Sequence, residues 1–224
     1  MSTSAKLDVV QSLRYNYAMY SFMEKLDKIN EWLGSGSINI FGRPFSGKDN
    51  QGARLAKLLN GNLIGGGEIL RNSLIPDYIK ECLSAGKLIP SDDYINIILP
   101  YLNQSNLSNK PLILSSVGRW HGEEDSVIKA LESSNHPFKV AIYLDISNDD
   151  SRARWQKRET FKDRQERNDD SEDALSTRFD EFDNKTMPVI DYYRSLNNLI
   201  KIDGRPDRDT VTQEIIDALY EQAK

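Results

Sequence analysis

Cysteine is almost missing from this sequence of 224 residues: Cys82 is the only one. A lone thiol forms no intramolecular disulfide and builds no zinc site of several thiolates, and it suits a reducing compartment. Histidine is nearly as scarce. His121 and His136 are the only two, and neither stands at a metal-ligand spacing. Long apolar runs are missing as well. None approaches the roughly 18 residues of a membrane span, and Met1–Val10 holds no apolar stretch of signal-peptide length. A cytoplasmic protein without a membrane partner is expected. Nor is there an excess of positive charge. The net charge of −5 is scattered along the chain, which argues against nucleic acid as a partner.

Hydrophobic residues make up 38% of the chain, enough for one sizeable core. Near the start, Met19, Phe22, Leu26, Ile29 and Leu33 follow one another at spacings of 3, 4, 3 and 4. That is one face of an amphipathic helix, and Gly34-Ser35-Gly36 ends it. The helix packs on its own domain or forms a dimer seam, so a monomer and a dimer both remain open. Beyond it, short apolar runs alternate with helical segments. The runs are Ile38–Phe41, Leu63–Ile64, Leu112–Leu114, Val140–Leu144 and Leu199–Ile202; the helical segments include Gln51–Leu59, Tyr94–Leu102, Ser126–Leu131 and Asp149–Arg158. Short unbroken Ile/Leu/Val runs suit central strands covered on both faces. Their alternation with helices predicts an α/β fold, a parallel central sheet with helices on both faces. Residues 1–36 are expected to form a helical extension and 37–224 a single domain. The stretch from Arg152 to Asp173 is the most charged and is expected to be a mobile surface arm flanked by helices.

Directly after the first strand comes Gly42-Arg43-Pro44-Phe45-Ser46-Gly47-Lys48, followed by a helix. Gly-x4-Gly-Lys in that setting wraps backbone N–H groups around phosphate oxygens at a helix N-terminus. Lys48 would reach the terminal phosphates. The next residues are Asp49 and Asn50, and Asp49 stands where the common motif has a Ser or Thr for magnesium. Asp49 serves either as a metal ligand or as a cap on the following helix.

From about Ile38 onward the sequence resembles the adenylate kinases, and so the nucleoside-monophosphate kinase architecture. Ile64-Gly-Gly-Gly67-Glu68-Ile-Leu-Arg71 is similar to the family's Ser-Thr-Gly-Asp-x-Leu-Arg segment, Gly66 included. Ala85-Gly86-Lys87-Leu88-Ile89-Pro90 resembles the Gly-x-Leu-Val segment beside the acceptor base. Ser115-Ser116-Val117-Gly118-Arg119 matches Asp-Gly-Phe-Pro-Arg with its acidic residue gone, and Glu123 stands where a Gln reads adenine. Arg154 and Arg158 share one helical face, and Arg167 with Arg178 has the spacing of the lid arginines, with Asp169 and Asp170 orienting them. Thr186-Met-Pro188 through Tyr193 resembles a Pro-containing helix end, and Ile202-Asp203-Gly204 the turn before the last helix.

The resemblance implies transfer of the γ-phosphoryl of ATP, with Mg2+, to a nucleoside monophosphate, AMP first. It places the acceptor region at about residues 65–95 and a short lid at 158–168. It puts ATP on the 42–50 loop with Arg154 and Arg158. The acceptor falls on Gly66, Arg71, Ile89, Ser116, Arg119 and Glu123. Lys48, Arg119, Arg154, Arg158, Arg167 and Arg178 would surround the transferring group. Arginines suit that task because they stay charged and bind phosphate bidentately. Two alternatives stay open. Glu123 favours a different acceptor base, since a carboxylate only accepts N–H bonds. The departures at Asp49, Asn50, Gly66 and Ser115 would also suit a nucleotide-binding protein that has lost transfer. Trp120-His121 either lines the acceptor pocket or packs as an ordinary aromatic pair, and no Gly-x-Ser-x-Gly elbow surrounds Ser115-Ser116.

Overall fold

The computed structural model describes residues 19–104, 107, 109–157 and 171–224. Among them, five strands form one sheet in the order β2-β3-β1-β4-β5. These are β1 (Ser37–Gly42), β2 (Asn62–Gly65), β3 (Leu112–Ser115), β4 (Phe138–Asp145) and β5 (Leu199–Asp203). Every pairing is parallel. Each expected apolar run falls inside one of these strands. β1 lies at the centre, with Ile38 opposite Ile113 on one side and Val140 on the other, and all six of its residues are buried.

The strands alternate between two apolar layers, as a pleat with period two demands. Ile38, Ile40, Ile113, Val140 and Ile142 face one layer, which also holds Leu55, Ile215 and Leu219. Leu112 and Leu114 face the opposite side with Ile98, Val127 and Leu131, and Phe41, Ala141 and Tyr143 pack there with Phe182, Ile190 and Tyr193.

Helix α1 (19–33) uses its apolar face within this chain. Leu26, Ile29 and Leu33 are buried in the same layer as Ile38 and Ile40, whereas Met19 remains 47% exposed. Lys25 fixes the outer edge through Asp217, with Nζ 2.5 Å from Oδ1. Ile29→Ala is therefore expected to lower stability by about 2–5 kcal/mol in urea unfolding, because it leaves a cavity in the main core. A loss under about 1 kcal/mol would mean that the helix is an appendage.

Several boundaries differ from expectation, three of them for a visible local reason. Helix α2 (Lys48–Leu58) starts at Lys48 rather than Gln51, because Gly47 turns left-handed at φ 94° and launches the helix at once. After α3 (Gly66–Asn72) and α4 (Asp77–Ser84), the expected Tyr94–Leu102 helix is two pieces, α5 (Ser91–Ile98) and a 3-10 turn (Leu99–Asn103). Pro100, in the first residues of that turn, lacks the N–H that an α-helix would use. Helix α6 (Glu124–Ser133) follows. Helix α7 (Asn148–Gln156) is started by a Ser147/Asp150 capping box, and α8 (Glu172–Glu181) continues through a π turn (Phe182–Thr186) into α9 (Met187–Ser195). Pro188 thus opens helix α9 instead of closing a helix, a first-turn position that proline tolerates. The charged stretch is helical at both described ends, in α7 and α8, and residues 158–170 lie outside the described residues. Helix α10 (Arg208–Gln222) completes the chain. Among the described residues no helix is long and apolar enough to cross a membrane.

Candidate active site

The strands are parallel, so their carboxyl ends share one edge, where open α/β sheets place ligands. At that edge the chain leaves β1 into the glycine loop. A Cβ on Gly42 would lie 2.3 Å from Ser46 Oγ and 3.2 Å from the Leu144 carbonyl, so the loop folds tightly back on its own start. The Ser46 N–H donates to Arg43 O at 3.1 Å, and Phe45 has φ 60°. No side chain caps α2. Its first N–H groups, with the helix's partial positive charge, therefore suit an anion.

The loop is braced from behind. Ser151 Oγ donates to the Pro44 carbonyl. Arg154 donates from Nη1 to Ser46 O at 3.2 Å and Phe45 O at 3.4 Å. Its Nη2 donates to Gly204 O at 2.7 Å and Arg205 O at 3.1 Å. One guanidinium thus ties the loop to the turn after β5, and burial pushes its pKa down. Arg43 points away from the cleft, with Nη2 2.6 Å from Asp183 Oδ1 and its guanidinium 4.8 Å from the centre of the Phe182 ring.

Beside the loop, the end of β3 meets the start of α2. Ser115 Oγ donates to Asp49 Oδ1 at 2.5 Å, and Lys48 Nζ lies 3.7 Å from Asp49 Oδ2. Asn39, a polar residue inside buried β1, holds the following segment with both ends of its amide: Nδ2 donates to Val117 O at 2.6 Å and Oδ1 accepts from Val117 N at 3.2 Å. That clamp presents Arg119. Burial pushes the Arg119 pKa down, opposed by Tyr94, Glu181, Asp49 and Glu123. Glu123 is 1% exposed; its Oε2 accepts from the N–H groups of Arg119 at 2.8 Å and Trp120 at 3.1 Å. Its Oε1 is also buried. Burial raises the Glu123 pKa, and hydrogen bonds from the Trp120 N–H, the Ser91 side chain and the Arg119 N–H oppose that rise.

A cleft of ≈ 1290 Å³ runs between these groups. Its wall holds Phe45, Ser46, Gly47, Lys48, Asp49, Asn50 and Arg154, and with them Arg71, Ile89, Ser115, Ser116, Arg119 and Glu123. Arg178 of α8 also reaches the wall, its guanidinium 5.9 Å from the centre of the Phe45 ring. Gly42, Arg43, Pro44 and Gly66 shape the site without lining it; a Cβ on Gly66 would strike Tyr94 Oη at 2.3 Å. Arg158, Arg167, Asp169, Asp170 and the expected lid at 158–168 lie outside the described residues. Sequence reasoning passed over Asn39, Glu181 and Lys185. Asn39 carried a signal, a lone amide within an apolar strand run. Glu181 and Lys185 carried none, because their meaning depends on partners distant in sequence.

Metal chemistry has a fitting donor set here. Among the described residues no three His, Cys, Asp or Glu side chains cluster to hold a metal. A magnesium ion, however, asks for one or two carboxylate oxygens, substrate phosphates and waters. The Asp49 carboxylate, in contact with the Ser115 hydroxyl and beside Lys48, is an oxygen donor of that kind.

A parallel sheet with strand order 2-3-1-4-5, a Gly-x4-Gly-Lys loop at the end of its central strand and arginines across the cleft define a P-loop nucleotide-binding phosphotransferase. The family model for adenylate kinase matches residues 40–198, and the chain belongs to that family. It is a nucleoside-monophosphate kinase. The chain is 28% identical over 188 residues to an adenylate kinase of Cyanothece sp., covering 80% of this chain and 94% of that one. It is 29% identical over 184 residues to UMP-CMP kinase 1 of Oryza sativa subsp. japonica, covering 80% and 71%. An adenylate kinase of Kocuria rhizophila matches at 27% over 185 residues, covering 80% and 96%.

Proposed function

We propose that this enzyme transfers the γ-phosphoryl group of ATP to AMP in the cytoplasm, giving two molecules of ADP. The observation that carries the reading is one cleft whose wall gathers the glycine loop, Lys48 and several arginines. Phe45 to Asn50 of the glycine loop, Lys48 among them, line it together with Arg71, Arg119, Arg154 and Arg178, and we assign the loop and Arg154 to ATP and Arg71 and Arg119 to the acceptor. Phosphoryl transfer is catalysed chiefly by position and positive charge, so two phosphate-binding faces across one cleft are what it requires. Arg158 and Arg167, outside the described residues, belong to the same proposal as further positive charge for the transferring group. Adenylate kinases among the relatives support AMP as acceptor. A second reading, another nucleoside monophosphate, is favoured by Glu123, whose carboxylate accepts N–H bonds and donates none. ADP formation measured against AMP, GMP, CMP and UMP tests the acceptor. The proposal expects the highest kcat/KM with AMP, and a tenfold preference for any other base would replace it.

Mg2+ is the proposed cofactor, and when bound with ATP it neutralises charge on the β- and γ-phosphate oxygens. Asp49 would hold it, directly or through water, with Ser115 beside it. The contact between the two side chains supports an exchange: the carboxylate that the family carries at the end of β3 stands here one contact away, on α2. Asp49→Gly is expected to raise the Mg2+ concentration needed for tight ATP binding in calorimetry by roughly tenfold or more. Adding Ser115→Asp should recover part of that loss. If Asp49→Gly changes only the Tm, the carboxylate is a helix cap.

A further inference from the structure

Trp120 is a large aromatic that belongs to none of the three apolar clusters of the fold. Trp32, by contrast, packs against the main core. Trp120 instead lines the cleft on the acceptor side, together with Ile89, Glu123 and Tyr94. It is nonetheless held firmly in place. Its indole Nε1 donates to the Ile89 carbonyl at 2.9 Å, and its backbone N–H donates to Glu123 Oε2 at 3.1 Å. Lys185 Nζ sits 3.9 Å from the ring centre, over one face. That ammonium is fixed in turn by Glu181, at 2.7 Å from Oε1 and 2.6 Å from Oε2. Glu181 Oε2 also accepts the Leu88 N–H at 3.0 Å. The π turn after α8, which carries Lys185, thus braces the indole and the neighbouring backbone together.

An indole pinned at its edge and covered by a cation on one face is not a core residue. It is a plate. We infer that the face of Trp120 opposite Lys185 stacks against the base of the acceptor nucleotide and favours purine over pyrimidine monophosphates. The inference rests on the proposed acceptor side of the cleft and adds to it the group that contacts the base. Every base has a π face, and stacking on an aromatic strengthens with the area overlapped, so the two-ring purines gain more than one-ring pyrimidines. Because the ring is already immobilised, binding costs little further side-chain entropy. The ammonium on the far face adds a cation–π contact that holds the plate flat against its support.

Calorimetric Kd values for AMP, GMP, CMP and UMP, with wild type, Trp120→Leu and Trp120→Phe, test this. Each nucleotide is titrated into the full chain. Trp120→Leu should raise the purine Kd values by roughly tenfold, within the range of base–aromatic stacking contacts, and the pyrimidine values by about twofold or less. Trp120→Phe should recover most of the purine affinity. ATP affinity, measured on the same samples, reports that the variants are folded. If Trp120→Leu also loses ATP, Lys185→Met replaces it, and a purine-selective loss is again the expected result. In wild type, AMP should also quench part of the indole fluorescence, a change that Trp120→Phe removes. Purine Kd values within twofold of wild type in Trp120→Leu, or equal losses for purines and pyrimidines, overturn the inference while leaving the acceptor site standing. A wild-type protein that binds none of the four monophosphates overturns the proposed function and this inference with it.

Discussion

Lys48→Ala is expected to lower kcat by about 10²-fold or more while leaving the fold intact. The lysine stands at the mouth of α2, beside Asp49 and in the wall of the cleft, and it is not part of any apolar cluster. Its contribution is positive charge near the oxygens on which negative charge accumulates during transfer. Truncation removes that charge without opening a cavity, so urea unfolding should move little. Circular dichroism and a denaturation curve measured beside the kinetics separate the two effects. A variant retaining more than about a tenth of wild-type kcat would show that the loop binds nucleotide without serving the transition state.

The second large effect belongs to the opposite wall. Arg119→Ala should raise the acceptor KM or lower kcat, with a combined loss of about 10²-fold or more in kcat/KM for the acceptor, and leave ATP affinity within about twofold. Burial lowers the pKa of the Arg119 guanidinium, and the carboxylates of Glu181, Asp49 and Glu123 oppose that effect. Lysine is not expected to rescue it, since an ammonium offers neither the planar fork nor the same reach to a phosphate. If ATP affinity fell and the acceptor KM stayed put, the two faces of the cleft would have to be exchanged.

The sheet was legible in the sequence because a strand covered on both faces must be apolar throughout. Ile38–Phe41 and Val140–Leu144 leave no other economical reading, and β1 and β4 contain them. The glycine loop was legible for a different reason. Its glycines answer to steric demands, at Gly42 against Ser46 and Leu144 and at Gly47 in a left-handed turn, and steric demands leave residue types behind. Helices α3 and α4 are short, at 7 and 8 residues, so neither spans enough turns to establish a periodicity.

Many residues of the cleft wall were legible in the sequence, and their contacts less so. Ser115 and Asp49 are 66 residues apart, and only the fold shows them in hydrogen-bond contact. Arg154 was legible as an arginine near phosphate, yet four backbone carbonyls from two separate loops receive its N–H groups, a bracing duty that spacing along a helix does not reveal. Trp120 and Lys185 are likewise brought together by the π turn that follows α8. Long-range polar contacts leave no periodic trace, because one partner places no constraint on the residues next to the other.

The most direct test of the account is to follow the phosphoryl group itself. ATP labelled at the γ-phosphate is incubated with AMP, Mg2+ and the full chain, and the products are separated. Label is expected to leave ATP only when AMP is present and to appear as the β-phosphate of newly formed ADP, with Lys48→Ala slower by about 10²-fold or more in the same assay. Label released as inorganic phosphate, or ATP that binds and stays intact whichever monophosphate is supplied, would contradict it.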